Sequence, residues 1–256
     1  MTQNLKTEAL VIYTMRWSES SRIVHLFTPE KGIIKVIARG ALRPKSSYRG
    51  ILENLNHIEA VISIKESRGL QMLSQADLLN PFTKIRDDLE ATAVAFAIIE
   101  ILTRIIQGNE NSKDIFRISI DLFEALNQSK TTHYVSYLLY FLLHASEYLG
   151  YGWNLSECKN CGKIPESFPL KADIENGAVY CKNCKRIIST THFNISRDQW
   201  NILIRMQNMS SSGLSRFPEE TEGDMQFSSL IDLLLAHLNY HTDQNLQLKS
   251  LKMFLT

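Results

Sequence analysis

The 256-residue chain carries none of the short motifs that mark common catalysts. It has no G-x-x-x-x-G-K-[ST] phosphate loop, no G-x-S-x-G elbow, no H-E-x-x-H pair and no H-x-E joined to P-C-x-x-C. A protein that binds without turning over a substrate is therefore the first expectation, and an enzyme its rival. Long apolar runs are missing as well. The longest stretch without a charge, Thr131 to Ser146, is too short for a membrane span and holds two histidines, so it reads as a buried core helix. Met1 to Glu8 is polar, with neither an apolar core nor a small-residue cleavage site, and the expected location is the cytoplasm. Net charge is nearly absent, at +1, but the balance is local. Residues 1–80 hold eleven basic and seven acidic side chains, 81–150 six and nine, and 151–256 eleven and eleven, so the amino-terminal third carries the positive excess.

Cysteine is scarce outside one place. All four lie between Cys158 and Cys184, as two C-K-N-C pairs with nineteen residues between them. That spacing is one of those read as a four-thiolate zinc site. Each C-x-x-C turn presents two thiolates on one side of a tight loop, and two turns supply the four corners of a tetrahedron. A shell closed in this way leaves no position for water or substrate, so Cys158, Cys161, Cys181 and Cys184 are expected to hold a structural Zn2+. Two disulfides are the alternative, and they would need an oxidising compartment for which nothing in the sequence argues. His192 reads as an ordinary packing or surface residue. Lys159, Lys163, Lys182, Lys185 and Arg186 have a local explanation, because zinc held by four thiolates carries about two negative charges.

The rest of the chain changes period at Asn80-Pro81. Before it, residues 9–13, 22–27, 33–38, 58–64 and 69–73 are rich in β-branched residues and are separated by turn signals such as Pro29-Glu-Lys-Gly32 and Arg68-Gly69. Five short strands suit a small barrel of the OB type, whose open face and loops bind oligonucleotides. After it, residues 84–107 place Ile85, Leu89, Ala93, Phe96, Ile99 and Ile106 at helical spacing. Ser112 is placed to cap a second helix, and a third runs from His133 to Leu149 and stops at Gly150. Ser196 caps a helix through Trp200 and Met206, Ser210 to Gly223 reads as a flexible loop, and helices near 228–240 and 245–254 finish the chain. The expected class is an α+β multidomain protein, with a five-stranded OB-type β-barrel over 1–80, an α-helical domain over 81–150 and 190–256, and a four-cysteine zinc finger inserted at 151–189.

Acidic residues are absent between Lys31 and Arg49, where six basic ones occur: Lys31, Lys35, Arg39, Arg43, Lys45 and Arg49. Glycines, hydroxyls and Tyr48 are mixed in, as in a mobile loop that grips phosphates. Lys35 and Arg39 alternate with Ile33 and Ile37 and share their strand face. A solvated loop that only keeps the domain soluble is the competing reading. Trp17, Phe27 and Tyr48 read as core or surface aromatics before stacking platforms.

Several segments together resemble one family. They are Ala9-Leu-Val-Ile-Tyr13, Glu19-Ser-Ser-Arg-Ile23, Leu26-Phe-Thr28 up to Gly32, and Gly40-Ala-x-Arg-Pro-Lys-Ser46 followed by Arg49-Gly50. Leu149-Gly-Tyr-Gly-Trp153 before the first C-x-x-C-G and His237-Leu-x-Tyr-His241 up to Lys249-Ser250 complete the set. Their order and spacing resemble the bacterial RecO family of DNA repair proteins over essentially the whole chain. The resemblance implies a recombination mediator without turnover, bound to single- and double-stranded DNA in the nucleoid. Such a protein anneals complementary strands and works with RecR, and in some settings RecF, to place RecA on strands coated by SSB, whose acidic tail is a partner. By matching position it implies phosphate-binding roles for Arg39, Arg43, Lys45 and Arg49, with Lys35 and Arg22 second. Leu42 and Ser47 stand where many members carry further basic or variable residues, which implies weaker DNA binding. An RNA-binding OB and zinc-ribbon protein and a purely structural adaptor remain the other readings. A preference for 2′-hydroxyls would mark the first and an absence of salt-dependent binding the second.

Overall fold

The computed structural model describes residues 3–108, 112–129, 133–184, 192–216, 224–246, 248 and 250. They fall into two compact units, Met1–Asn127 and Gln128–Thr256.

The first unit begins with five strands: β1 (Gln3–Arg16), β2 (Arg22–Thr28), β3 (Gly32–Ala38), β4 (His57–Ile64) and β5 (Gln71–Asn80). They close into a barrel in the order β1-β2-β3-β5-β4, with β3 and β5 parallel and the other pairs antiparallel. This is the OB arrangement expected from the sequence. Period-2 alternation fills the interior with Ala9, Val11, Val24, Leu26, Val36, Ala38, Ile58, Ala60 and Ile62. The length of β1 lets its first half pair with β4 and its second half with β2, and a bulge between Val11 and Tyr13 marks the change. The fifth strand starts and ends later than the expected 69–73. The end facing away from β3 carries Leu78 and Leu79 on exposed positions, so burial pattern gave no signal there.

Three helices complete this unit: α1 (Thr83–Asp87), α2 (Leu89–Ile105) and α3 (Ser112–Asn127). A single helix over 84–107 was expected. The chain breaks at Asp88, whose extended backbone leaves its carboxylate free to accept from the Ala91 amide at 3.0 Å and cap α2. Because the helix restarts there, Leu89 is 67% exposed, and the buried stripe runs instead through Ala91, Val94, Ala95, Ile98, Ile101, Leu102 and Ile105. Ser112 is the first residue of α3, not its cap. Phe116 of α3 lays its ring edge-on against Phe27 of β2, with centroids 5.4 Å apart, so α3 covers one end of the barrel's outer face.

In the second unit, α4 (Val135–Tyr148), α5 (Arg197–Asn208) and α6 (Asp224–Thr242) accompany a four-stranded sheet of β6 (Asn154–Cys158), β7 (Leu170–Asp173), β8 (Ala178–Tyr180) and β9 (His192–Ile195). The sheet order is β6-β8-β7-β9. The charge-free run from Thr131 supplies α4, buried along Tyr137 to Ala145 as expected of a core helix. Gly150, at φ 87°, ends it: the Gly150 amide bonds to Glu147 O at 2.9 Å and the Tyr151 amide to Ser146 O at 2.8 Å, which together form a Schellman motif that only glycine enters without strain. Ser196 caps α5 through a reciprocal box with Gln199. The chain expected to loop after Ser210 forms a 3-10 turn over Ser211–Arg216. Residues 217–223 lie outside the described residues, as do 247, 249 and 251–254 of the helix expected at 245–254, while the described Asn245, Leu246 and Leu248 are not helical. His237 of α6 is fully buried, and its two ring nitrogens lie 2.6 Å from Ile174 O and 2.7 Å from Tyr151 O, joining helix and sheet within this unit. Among the described residues no helix is long and apolar enough to cross a membrane.

Candidate metal centre and nucleic-acid interface

The four cysteines converge because β6 and β8 are parallel neighbours. Each runs into a C-x-x-C turn at the same end of the sheet: Cys158 closes β6, and Cys181 follows the last residue of β8. In the first turn the Cys158 amide donates to Lys163 O at 2.9 Å and the Gly162 amide to Cys158 O at 2.8 Å. Gly162, at φ 67°, takes the left-handed backbone that this reversal needs. In the second, the Cys184 amide donates to Cys181 O at 3.1 Å. All four sulfurs lie within 4.8 Å of one another.

Those distances discriminate between the two readings of the quartet. A disulfide requires sulfurs at about 2.05 Å, whereas Cys158 Sγ and Cys184 Sγ are 3.6 Å apart and all four thiols are free. A tetrahedron with metal–sulfur bonds of about 2.3 Å has edges of about 3.8 Å, so the spacing fits a metal ion. Cys158 and Cys181 are buried, Cys184 is half-buried and Cys161 is exposed. Burial pushes the Cys158 thiol up, but the backbone amides of Cys181, Cys161 and Asn160 outweigh it and hold the group at about 6. Burial, and then hydrogen bonding and repulsion from the Cys158 sulfur, push Cys181 up to about 12, and the same sulfur raises Cys184. The cluster thus accommodates one thiolate readily and resists the next, a conflict that a central cation removes. Lys159, Lys163 and Lys182 are exposed around it, while Lys185 and Arg186 lie outside the described residues.

The basic residues of the first unit are distributed differently. Lys35 projects outward from β3 between the inward Val36 and the partly covered Ile34, and Arg39 continues the same alternation just beyond the strand. Between β3 and β4 the chain is a succession of closed turns. Amides of Arg43, Ser46, Arg49 and Ile51 donate to the carbonyls of Gly40, Arg43, Ser46 and Tyr48, at 3.0–3.3 Å. Tyr48 anchors the run from within: its ring packs on the barrel core and its hydroxyl donates to Leu73 O at 3.1 Å. Asn56 closes the far end through Gly50 O and Ile51 O, each at 2.9 Å. Arg43, Lys45 and Arg49 stand exposed on this frame, the Arg43 stem lying across Gly40. Among the described residues Lys35, Arg39, Arg43, Lys45 and Arg49 form no ion pair. Arg22 is set apart from them, since Nη1 bonds to Glu53 Oε1 at 2.9 Å and approaches Leu52 O, so it fastens the turn run to β2.

Two groups of residues near this face escaped the sequence reading. Lys65 and Arg68 sit in the β4–β5 turn, which Gln71 holds through bonds to the Lys65 amide and carbonyl and to Arg68 O. The parallel pairing of Val36 with Gln71 brings that turn alongside β3. Only the barrel's strand order reveals the proximity, because about thirty residues separate Lys35 from Lys65. Tyr13 and Met15 lie on β1, at the end of the strand expected over 9–13 or beyond it, and are exposed together with Trp17, which the sequence reads as a core or surface aromatic.

An OB barrel with exposed Lys35, Arg39, Arg43, Lys45 and Arg49, in one chain with a four-cysteine cluster that could hold a metal, has the architecture that OB-fold nucleic-acid binders share. The family described as Recombination protein O N terminal matches residues 1–82, and Recombination protein O C terminal matches residues 86–252. The chain belongs to the RecO family of DNA repair proteins. It is 31% identical over 187 residues to the DNA repair protein RecO of Geobacter metallireducens, covering 72% of this chain and 74% of that one. With the RecO of Chlorobium limicola the identity is 26% over 252 residues, 93% of either chain. With that of Geobacter sulfurreducens it is 29% over 223 residues, 86% and 87%.

Proposed function

We propose that this chain is a recombination mediator that acts by binding alone. It holds single- and double-stranded DNA on the basic face of the barrel and anneals complementary strands. With RecR, and with RecF where that partner is used, it helps to place RecA on DNA coated by SSB, whose acidic carboxyl-terminal tail it engages. Its working site is the cytoplasmic nucleoid. The observation that carries this reading is the set of five cations, Lys35, Arg39, Arg43, Lys45 and Arg49, exposed along one strand and the turn run fastened to it and without ion pairs among the described residues. Lysine and arginine held in this way neutralise phosphates without reading bases. Neutralisation lowers the repulsion between two strands while leaving base edges free to pair, so annealing needs no bond chemistry.

In the second unit, Cys158, Cys161, Cys181 and Cys184 hold Zn2+ in a structural role. The donor set is four thiolates, which suits zinc, and a closed shell leaves it no Lewis-acid task. These residues keep the β6 and β8 ends together.

The test is binding of the purified protein to labelled single-stranded DNA over a salt series, then annealing of a complementary strand already coated with SSB. Tight binding with a steep salt slope and faster annealing are expected. A folded, zinc-loaded protein that shows neither would refute the mediator reading.

A further inference from the structure

Within the DNA-binding reading just given, we infer that Tyr13, Met15 and Trp17 form a stacking row for unpaired bases, which makes this face prefer single strands to duplex. Its starting point is exposure. Trp17 is 59% exposed, Tyr13 44% and Met15 40%, three large apolar side chains at alternate positions, two at the end of β1 and the third just beyond it.

The row is placed there by a defect in the strand. Ala9 and Val11 point into the barrel, and unbroken alternation would send residues 13, 15 and 17 inward after them. The bulge between Val11 and Tyr13 shifts the phase, so that Thr14 pairs with the inward Val24 while Tyr13 and Met15 turn out. Bulges re-aim side chains at functional edges, and here the cost of the defect is an exposed aromatic row. At the other end of the same outer face Phe27 is covered by Phe116. The uncovered end is the one beside the cations.

Pairing across the sheet ties row to charge. Tyr13 pairs with His25, which pairs with Lys35, and Met15 pairs with Ile23, which pairs with Ile37. Each rung thus runs from an apolar residue on β1 to β3, and Arg39 follows Ile37 at the next outward position. The rings of Tyr13 and His25 lie 5.1 Å apart. Burial, and then the nearby Lys35, lower the His25 pKa, so at neutral pH the second ring of this rung is uncharged. Trp17 opens the β1–β2 hairpin, closed by its amide on Ser21 O at 3.0 Å, and the Leu42 amide bonds to Ser20 O at 3.0 Å. That bond holds the start of the Arg43–Arg49 turns beside the hairpin. Glu19 lies at the hairpin tip, and Arg16 at the strand end pairs with Arg22 across the sheet.

An apolar row bordered by Lys35, Arg39 and Arg43 matches a polyanion that carries exposed ring faces. A single strand offers both, with phosphates for the cations and bases for the rings; a duplex keeps its base faces stacked inside and offers phosphates alone. The turn run can serve either form, while the row rewards only the unpaired one.

The experiment compares the full-length protein with Trp17→Ala, Trp17→Phe and Arg43→Ala/Lys45→Ala, measuring affinity for a labelled oligo-dT and for a duplex of equal length over a salt series. Melting temperature confirms that each variant is folded. Trp17→Ala should weaken oligo-dT binding about tenfold with the salt slope unchanged, and leave the duplex within about twofold. Trp17→Phe should recover most of the loss. Oligo-dT should also quench tryptophan fluorescence in the parent but not in Trp17→Phe, since Trp153 is buried and Trp200 half-buried. Equal losses for both DNAs would overturn the inference, as would no loss for either, the result expected if the row docks a protein. If the parent bound neither DNA, the mediator reading itself would fall, a result distinct from the other two.

Discussion

The metal centre and the basic face solve opposite problems. The cysteine quartet gathers four side chains from two turns to within 4.8 Å, and the geometry is worthless unless all four arrive. The basic face spreads five cations, without ion pairs among the described residues, along β3 and the turns beyond it, and on the proposed reading should lose strength by degrees as cations are removed. Convergent sites depend on the fold and in turn stabilise it, because the metal's binding free energy is folding free energy. Dispersed sites need the fold only as a platform, since each cation meets a phosphate of the polyanion independently. Mutations should therefore separate the two: at the metal, stability and loading change together; on the barrel, affinity changes and stability does not.

The largest effect is expected at Cys181→Ala. Loss of one ligand should abolish stoichiometric zinc and cost on the order of 5 kcal/mol or more in the second unit, read by metal analysis and calorimetry. Nucleic-acid affinity carried by the first unit should hold. A variant that kept its zinc and its melting temperature would remove the contrast altogether. Acid should act in the same direction, because metal must displace protons. Between about 6 and 12 the Cys158 thiol is already ionised and Cys181 is not, so affinity falls as pH falls; below about 6 the Cys158 proton must be displaced as well, and zinc loss should steepen. A zinc-retention curve without that steepening would show that Cys158 is not the first thiolate.

Next in size is Arg43→Ala with Lys45→Ala. Removing two phosphate contacts should weaken binding about tenfold or more, equally across sequences, and reduce the salt slope by about 2. Melting temperature should stay within the scatter of surface substitutions, about 0.5 kcal/mol. Unchanged affinity would move the interface elsewhere; a large loss of stability would show that the turn run behaves like the convergent site.

The same contrast separates features that the sequence encodes locally from those that arise only on folding. Thiolate spacing is a local code, and Cys158 to Cys184 stated outright the cluster whose four sulfurs the fold brings within 4.8 Å of one another. The strands of the barrel were legible from alternation, because one face of each fills the interior. What alternation cannot show is a change of phase: nothing in Val11-Ile-Tyr13 signals the bulge that turns Tyr13, Met15 and Trp17 outward. Asp88 was hidden for a similar reason, since apolar residues continue on either side of the break and only the cap bond to Ala91 ends one helix and starts another. The strands β6 to β9 were missed because they are three to five residues long and depend on each other and on the cysteine turns for their existence. Lys65 and Arg68 needed the β3–β5 pairing, a long-range fact that no window of sequence contains.

A dispersed site held only loosely should tolerate the loss of a single anchoring bond. Tyr48→Phe deletes one hydroxyl and keeps the ring that packs on the barrel beside Ala41 and Ile51. Burial raises the Tyr48 pKa above its ordinary value, so the phenol remains a donor to Leu73 O across any practical assay range. Its loss should cost about 1 kcal/mol of stability in the first unit. The turns still have their own carbonyl bonds and the Asn56 clasp, so Arg43, Lys45 and Arg49 should keep their places, and DNA affinity should change less than about twofold. If Tyr48→Phe instead matched the double cation variant in lost affinity at an unchanged salt slope, the cations would be working as a positioned set. The basic face would then share with the metal centre the dependence on exact placement that separates them here.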